Sequence, residues 1–180
     1  MNLAPVLVLI VNYRTAALTV QAIKAVLPEV RERGDASILV VDNGSCDGSA
    51  ETLAAAIERL GAQDICALLA LATNKGFAAG NNAGLIEYRR IAASAGREAW
   101  PDHVWLLNPD TIAERGALSA LVDFLEEKSE AGLAGGRCLR PDGSIRPSAF
   151  RFHTPVGEFI AALDIGVLRR LLKRHDVVMP

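Results

Sequence analysis

Two carboxylates and a set of amides hold most of the binding chemistry in this 180-residue chain, and they stand where apolar runs give out. In "HVWLLNPDTI" (103–112) the run ends at Asn108, Pro109 and Asp110. A plain turn would use those residues, since Asn-Pro and Pro-Asp are ordinary turn formers. A carboxylate there would also suit a hard divalent cation, which prefers carboxylate, water and phosphate oxygens. Asp42 opens "DNGSCDGS" (42–49), directly after "SILVV", where it could accept hydrogen bonds from a base or a ribose. Ser45 or Asp47 is expected to cap the helix that follows. "NKGFAAGNN" (74–82) enters another helix past two glycines, and helix N-termini favour phosphate. "NYR" (12–14) is the fourth polar cluster.

The intervening segments must place these four clusters. "VLVLIV" (6–11) is apolar at every position, as expected of a parallel strand buried on both faces. "SILVV" (37–41), "ICALLALA" (65–72) and residues 103–107 read as further strands, the last of them buried in a core. The alanines of 65–72 leave a helix open there. Ile23, Val26, Leu27 and Val30 share one helical face, with Pro28 expected to kink or restart the helix. Leu53, Ile57 and Leu60 line a second helix, residues 78–95 form a third, and Leu118, Leu121, Val122 and Leu125 mark a fourth. Strands alternating with helices imply an α/β fold, an open and mostly parallel sheet with helices on both faces. In such sheets ligands bind outside the carboxyl ends of the strands, where all four clusters fall.

Bulk properties remove several classes. A net charge of −2 carries no nucleic-acid signature. Residues 1–136 hold 11 Lys/Arg against 17 Asp/Glu, whereas residues 137–180 hold 8 against 4. The basic C-terminal part could meet acidic lipid or a phosphorylated partner, or be a solvated helix face. Cys46, Cys66 and Cys138 make neither a disulfide framework nor a zinc spacing, which points to a reducing compartment. The first apolar run is too short for a membrane span, so a cytoplasmic protein that touches a membrane at most is expected. Neither G-x-x-x-x-G-K-[ST] nor G-x-G-x-x-G occurs. Residues 139–155, with Pro141, Gly143, Pro147 and Pro155, are the expected boundary between a binding domain (1–138) and a connecting segment with a basic amphipathic helix (139–180).

With "VNY", "VVDNGSCDGS", "NKGFAAGNN" and "LLNPDT" in this order, the chain resembles family 2 glycosyltransferases of the GT-A fold. "GFAAGNN" and "LLNPDT" look most like the rhamnosyltransferase-like branch. The resemblance implies nucleotide-diphosphate-sugar binding, a divalent cation (Mg or Mn), and transfer to a glycan or lipid-linked acceptor with inversion. It implies that Asn12 and Tyr13 border the nucleotide and Asp42 contacts the base or ribose. Asn74, Gly76 and Asn81 would line the sugar-diphosphate side. Asn108 and Asp110 occupy the family's D-x-D site, with Asp110 the metal contact and Asn108 in place of the first Asp. Ala79 stands where some relatives carry an Arg, which leaves Lys75 to meet diphosphate charge.

The family's general base is a carboxylate well downstream of D-x-D. Asp142, Glu158, Asp164 and Asp176 remain on that side, none in the family's acidic acceptor motif. The sequence therefore looks like the donor half of a longer enzyme, with the apolar stripe from Val156 to Leu172 lacking a packing partner. A non-catalytic nucleotide-sugar-binding or interaction module is the alternative. A nucleotidyltransferase would more often show a glycine- and basic-rich loop after the first strand, and "NYRTAA" has no glycine.

Overall fold

The computed structural model describes residues 5–94, 96, 100–148 and 155. The chain divides into two compact units, Met1–Leu133 and Ala134–Pro180. The first unit contains a four-stranded parallel sheet: β1 (Val6–Asn12), β2 (Ala36–Asp42), β3 (Cys66–Ala70) and β4 (His103–Leu106). Their order across the sheet is β3-β2-β1-β4. Register aligns Asn12 with Asp42 and Asp42 with Ala70, so three strands deliver their carboxyl ends at one level.

Helices cover both faces because β1 and β2 are apolar on both. Val6, Val8 and Ile10 point into a cluster with Ile23, Val26 and Val30 of α1 (Ala16–Arg33). Leu53 of α2 (Ser49–Arg59) and Leu118 of α4 (Ala117–Glu127) complete it. On the other face Leu7, Leu9, Val11, Leu39 and Val41 meet Tyr88 and Ala92 of α3 (Phe77–Ser94). Pro28 lies within α1, which runs through it without restarting. The buried Glu29 beside it accepts the backbone N–H groups of Leu118 (3.3 Å) and Ser119 (2.8 Å), tying α1 to the first turn of α4.

β4 departs from its apolar sequence. Val104 is 38% and Leu106 50% exposed, while Leu107, just past the strand, is buried. In register these two follow Leu7 and Leu9, on the face that α3 covers over β1 and β2. α3 packs against β1 and β2, so the strand beyond them keeps one open face. The expectation of a strand buried in a core is therefore corrected to a half-covered one.

In the second unit β5 (Cys138–Leu139) and β6 (Ile145–Arg146) pair antiparallel. Arg140 N–H donates to Ser144 O and Gly143 N–H to Arg140 O, both at 2.8 Å, closing the turn. The apolar stripe from Val156 to Leu172 lies outside the described residues.

Candidate functional site

A cavity of about 470 Å³ opens at the carboxyl ends of the strands. Tyr13 reaches it from the end of β1, Asn43 from β2, Asn74, Gly76 and Phe77 from the segment after β3, and Asn108, Pro109 and Asp110 from the turn after β4. Five of the residues singled out in the sequence, Tyr13, Asn74, Gly76, Asn108 and Asp110, thus line one wall system. Asn12, Asp42 and Asn81 do not line it. Thr15, Leu18, Asn43 and Phe77 do, although the sequence reading passed them over.

Asn12 and Asp42 sit in a buried network instead. Asn12 Nδ2 donates to Asp42 Oδ1 at 2.6 Å and to Ser45 Oγ at 3.3 Å. Asn12 Oδ1 accepts from Thr19 Oγ1 (2.8 Å), Thr15 Oγ1 (3.1 Å) and the Thr15 backbone N–H (3.3 Å). Asp42 also accepts the Ser45 hydroxyl and, through Oδ2, the Ser45 backbone N–H at 3.2 Å. Asn12 is fully buried and Asp42 nearly so. A carboxylate in such a setting stays satisfied only through donors of this kind. The network thereby joins the ends of β1 and β2 and shapes the loop from Asn43 to Ser45.

Ser45 caps nothing, because its hydroxyl turns inward to Asp42 and accepts the Arg14 backbone N–H at 2.9 Å. Asp47 is no conventional cap either. Gly48 holds the N-cap position of α2 without a side-chain bond, while Asp47 accepts the Ser49 hydroxyl and the Ser49 N–H (3.0 Å). Those Ser49 bonds hold the Asp47 carboxyl below the usual range against the smaller opposing effect of desolvation. Arg14 adopts a left-handed backbone (φ 56°), donates from Nε to Ser45 O at 3.2 Å, and lies 5.2 Å from the Tyr13 ring centre. A cation is thus fixed beside an aromatic ring that lines the cavity.

The loops after β2 and β3 are fastened to each other. Leu71 N–H donates to Asp42 O at 2.8 Å, and Asn43 Nδ2 donates to Asn74 Oδ1 (3.0 Å) and Gly76 O (3.1 Å). Gly44 (φ +69°) makes this approach possible. A Cβ there would stand 2.4–2.6 Å from Thr73 and Asn74 backbone atoms. Asn81, in the second turn of α3, donates from Nδ2 to Phe77 O at 3.0 Å, and its Oδ1 is buried without a partner. Lys75 is exposed.

"NPDT" is a turn that faces the cavity. Thr111 N–H donates to Asn108 O at 3.1 Å, the closing bond of a β-turn, and the same turn presents Asn108 and Asp110 to the cavity.

Residues 7–153 match the family described as Glycosyl transferase family 2. The chain belongs to that family. Among curated proteins it is 34% identical over 113 residues to the N-acetylglucosaminyl-diphospho-decaprenol L-rhamnosyltransferase of two Mycobacterium tuberculosis strains, CDC 1551 / Oshkosh and H37Rv. The match covers 63% of this chain and 35% of each relative, so the chain spans about a third of their length. Among solved structures it is similar to the mannosyltransferase PcManGT from Pyrobaculum calidifontis in complex with GDP-Man and Mn2+, with a TM-score of 0.56 at 20% identity. That similarity covers 69% of this chain and 33% of the other. S. aureus TarS gives a TM-score of 0.52 at 17% identity, over 69% of this chain and 20% of the other. At such identities the likeness is one of fold, and the fold is of the GT-A type.

The donor set for a metal in this family 2 chain is sparse. Among the described residues no group of three or more His, Cys, Asp or Glu side chains is placed to share an ion. Asp110 brings one carboxylate to the cavity lining and Asn108 one side-chain amide. That pair fits a hard cation which draws most of its ligands from phosphate and water rather than from an all-protein cage.

Of the candidate bases only Asp142 is described, in the β5–β6 turn, where hydrogen bonds from the Ser144 hydroxyl and backbone N–H hold its carboxyl below the usual range. That is the reverse of the upward shift that tunes a carboxylate to serve as a base. Glu158, Asp164 and Asp176 lie outside the described residues. Among the described residues no helix is long and apolar enough to cross a membrane.

Proposed function

We propose that this chain carries the donor-binding half of a glycosyltransferase that moves a sugar from a nucleotide diphosphate to an acceptor hydroxyl with inversion. The observation that carries the reading is the cavity itself, to which four strand-end segments contribute Tyr13, Asn43, Asn74, Gly76, Asn108 and Asp110. Tyr13 borders the nucleotide, braced from outside by Arg14. Asn74 and Gly76 face the sugar-diphosphate, while Asn81, off the cavity wall, braces the turn of α3 that carries Phe77. Asp42 and Asn12 act from behind by holding the loop on which Asn43 stands. A cation held at Asp110 would offset the charge of the departing nucleoside diphosphate.

The mycobacterial relatives carry L-rhamnosyltransferase and decaprenol in their name. By that likeness the donor is a nucleotide-L-rhamnose and the acceptor a lipid-linked glycan. The chain then works at the cytoplasmic face of a membrane, with residues 1–138 binding the donor and the basic segment 139–180 beginning the acceptor side.

The test is thermal stabilisation by UDP, dTDP and GDP, each with and without Mn2+ or Mg2+. Ligand at 100 times its Kd stabilises by about 2.7 kcal/mol, well within reach of such a measurement. The reading expects a metal-dependent shift with one nucleotide, and expects Asp110→Ala to remove the metal-dependent part. No shift with any of the three would refute it. Incubation with labelled nucleotide-sugars and lipid-linked acceptors then separates a transferase from a binding module, because any turnover excludes the latter.

A further inference from the structure

α4 begins without a cap of its own. Gly116 holds the N-cap position at φ 85° and has no side chain to offer the first N–H groups of the helix. Glu29 of α1 takes that place from the far side of the chain. Its carboxylate, 6% exposed, accepts Ser119 N–H at 2.8 Å through Oε1 and Leu118 N–H at 3.3 Å through Oε2, from 90 and 89 residues away. Negative charge is favoured at a helix N-terminus, so carboxylate and N–H groups satisfy one another in the interior. Two further side chains of α1 reach the same stretch. Glu32 pairs with Arg115 at 2.8 Å, and Arg33 Nη1 donates to Ser119 Oγ at 3.3 Å.

The connection that leads into α4 carries Asn108 and Asp110. At its upstream end Leu107 N–H donates to Leu9 O at 3.0 Å. Among the described residues the hydrogen bonds of 108–114 are Thr111 N–H to Asn108 O and Ala117 N–H to Glu114 O, both at 3.1 Å and neither to another strand or helix of the sheet. Apart from the contact of Ala113 with the apolar cluster, the connection is placed by its two ends. Resting on the donor-site reading above, we propose that Glu29 is a positioning residue for the cation site, which fixes the downstream end of the connection that presents Asp110 to the cavity. Glu29 itself does not line the cavity. With one carboxylate and one amide on the protein side, little compensates for a displaced Asp110, so cation affinity depends on that anchor.

The experiment titrates Mn2+ by calorimetry into the full chain at a fixed concentration of the best-bound of UDP, dTDP and GDP, and repeats the nucleotide titration without metal. Circular dichroism verifies folding. Glu29→Ala should bind Mn2+ about tenfold more weakly than wild type, with metal-free nucleotide affinity unchanged. Glu29→Gln keeps one acceptor oxygen and should fall between the two, and it decides the matter if Glu29→Ala does not fold. Gly61→Ala, a destabilising change away from the cavity, should titrate as wild type does. A merely structural Glu29 would lower Tm and leave the Mn2+ titration alone, or weaken nucleotide binding by one factor with and without metal. Either result overturns the inference while the donor site stands. If Mn2+ leaves nucleotide binding to wild type unchanged, the donor-site reading itself fails and this inference falls with it.

Discussion

Gly44→Ala should damage this fold far more than an ordinary glycine replacement, and the difference can be worked from the structure. Any Cβ at φ +69° carries the left-handed penalty of about 1–2 kcal/mol. Here the new methyl would also stand 2.4 Å from Thr73 C and 2.6 Å from Asn74 N and Thr73 Cα. These are backbone atoms and cannot swing aside, so the loops must part by about 1 Å to regain ordinary contact. Asn43's bonds to Asn74 Oδ1 and Gly76 O, at 3.0 and 3.1 Å, would then stretch past useful length. Each such bond is worth about 0.5–1.5 kcal/mol. The expected loss is about 3–4 kcal/mol, or a fall in Tm of about 6–16 °C.

Gly61 supplies the control, since its φ is +57° and nothing lies within 4 Å of its virtual Cβ. Gly61→Ala should cost only the backbone penalty of about 1–2 kcal/mol. Urea unfolding of both variants, read as midpoint shifts at constant m, isolates the contribution of the close approach. Equal losses would refute the idea that the 42–46 and 72–76 loops are locked by contact. Nucleotide affinity should follow the same order, with Gly44→Ala weakened and Gly61→Ala unchanged.

Ser37, fully buried in β2 with an unpartnered hydroxyl, should become more stable by about 1 kcal/mol as Ser37→Ala, seen as a higher urea midpoint. Glu29→Ala removes the carboxylate that accepts two N–H groups of α4 and should cost about 1–3 kcal/mol in the same assay. Burial pushes the Cys66 thiol up to about 12 from 9.0, whereas Cys46 and Cys138 are exposed, so a thiol reagent at pH 8 should label two cysteines quickly and the third only on unfolding. Because that folded pKa is raised, the stability held by neutral Cys66 is complete below pH 9 and declines as pH climbs from 9 towards 12. Cys66→Ala should flatten that decline in a pH series of unfolding free energies.

What could be read in the sequence followed from periodicity. β1 and β2 are apolar at consecutive positions because each is sandwiched between helices, and such a run has few alternatives in an α/β chain. β4 looked the same in sequence and is not, because burial depends on whether α3 extends over it, a matter of helix placement that no local pattern encodes. The site residues divide along a similar line. Exposed polar residues in turns, such as Tyr13, Asn74 and Asp110, advertise themselves by interrupting apolar segments, and the cavity collects them. Asn12 interrupts one too, yet its amide is consumed by Asp42, Ser45, Thr15 and Thr19, partners up to 33 residues away. Asn43 hid behind the more conspicuous carboxylate next to it. A single backbone step past Asp42 is enough to move from the buried network to the cavity wall, because successive residues of an extended chain face opposite ways. Polar identity marks where a strand ends, and the direction of the backbone there then decides which of two adjacent polar groups faces the cavity.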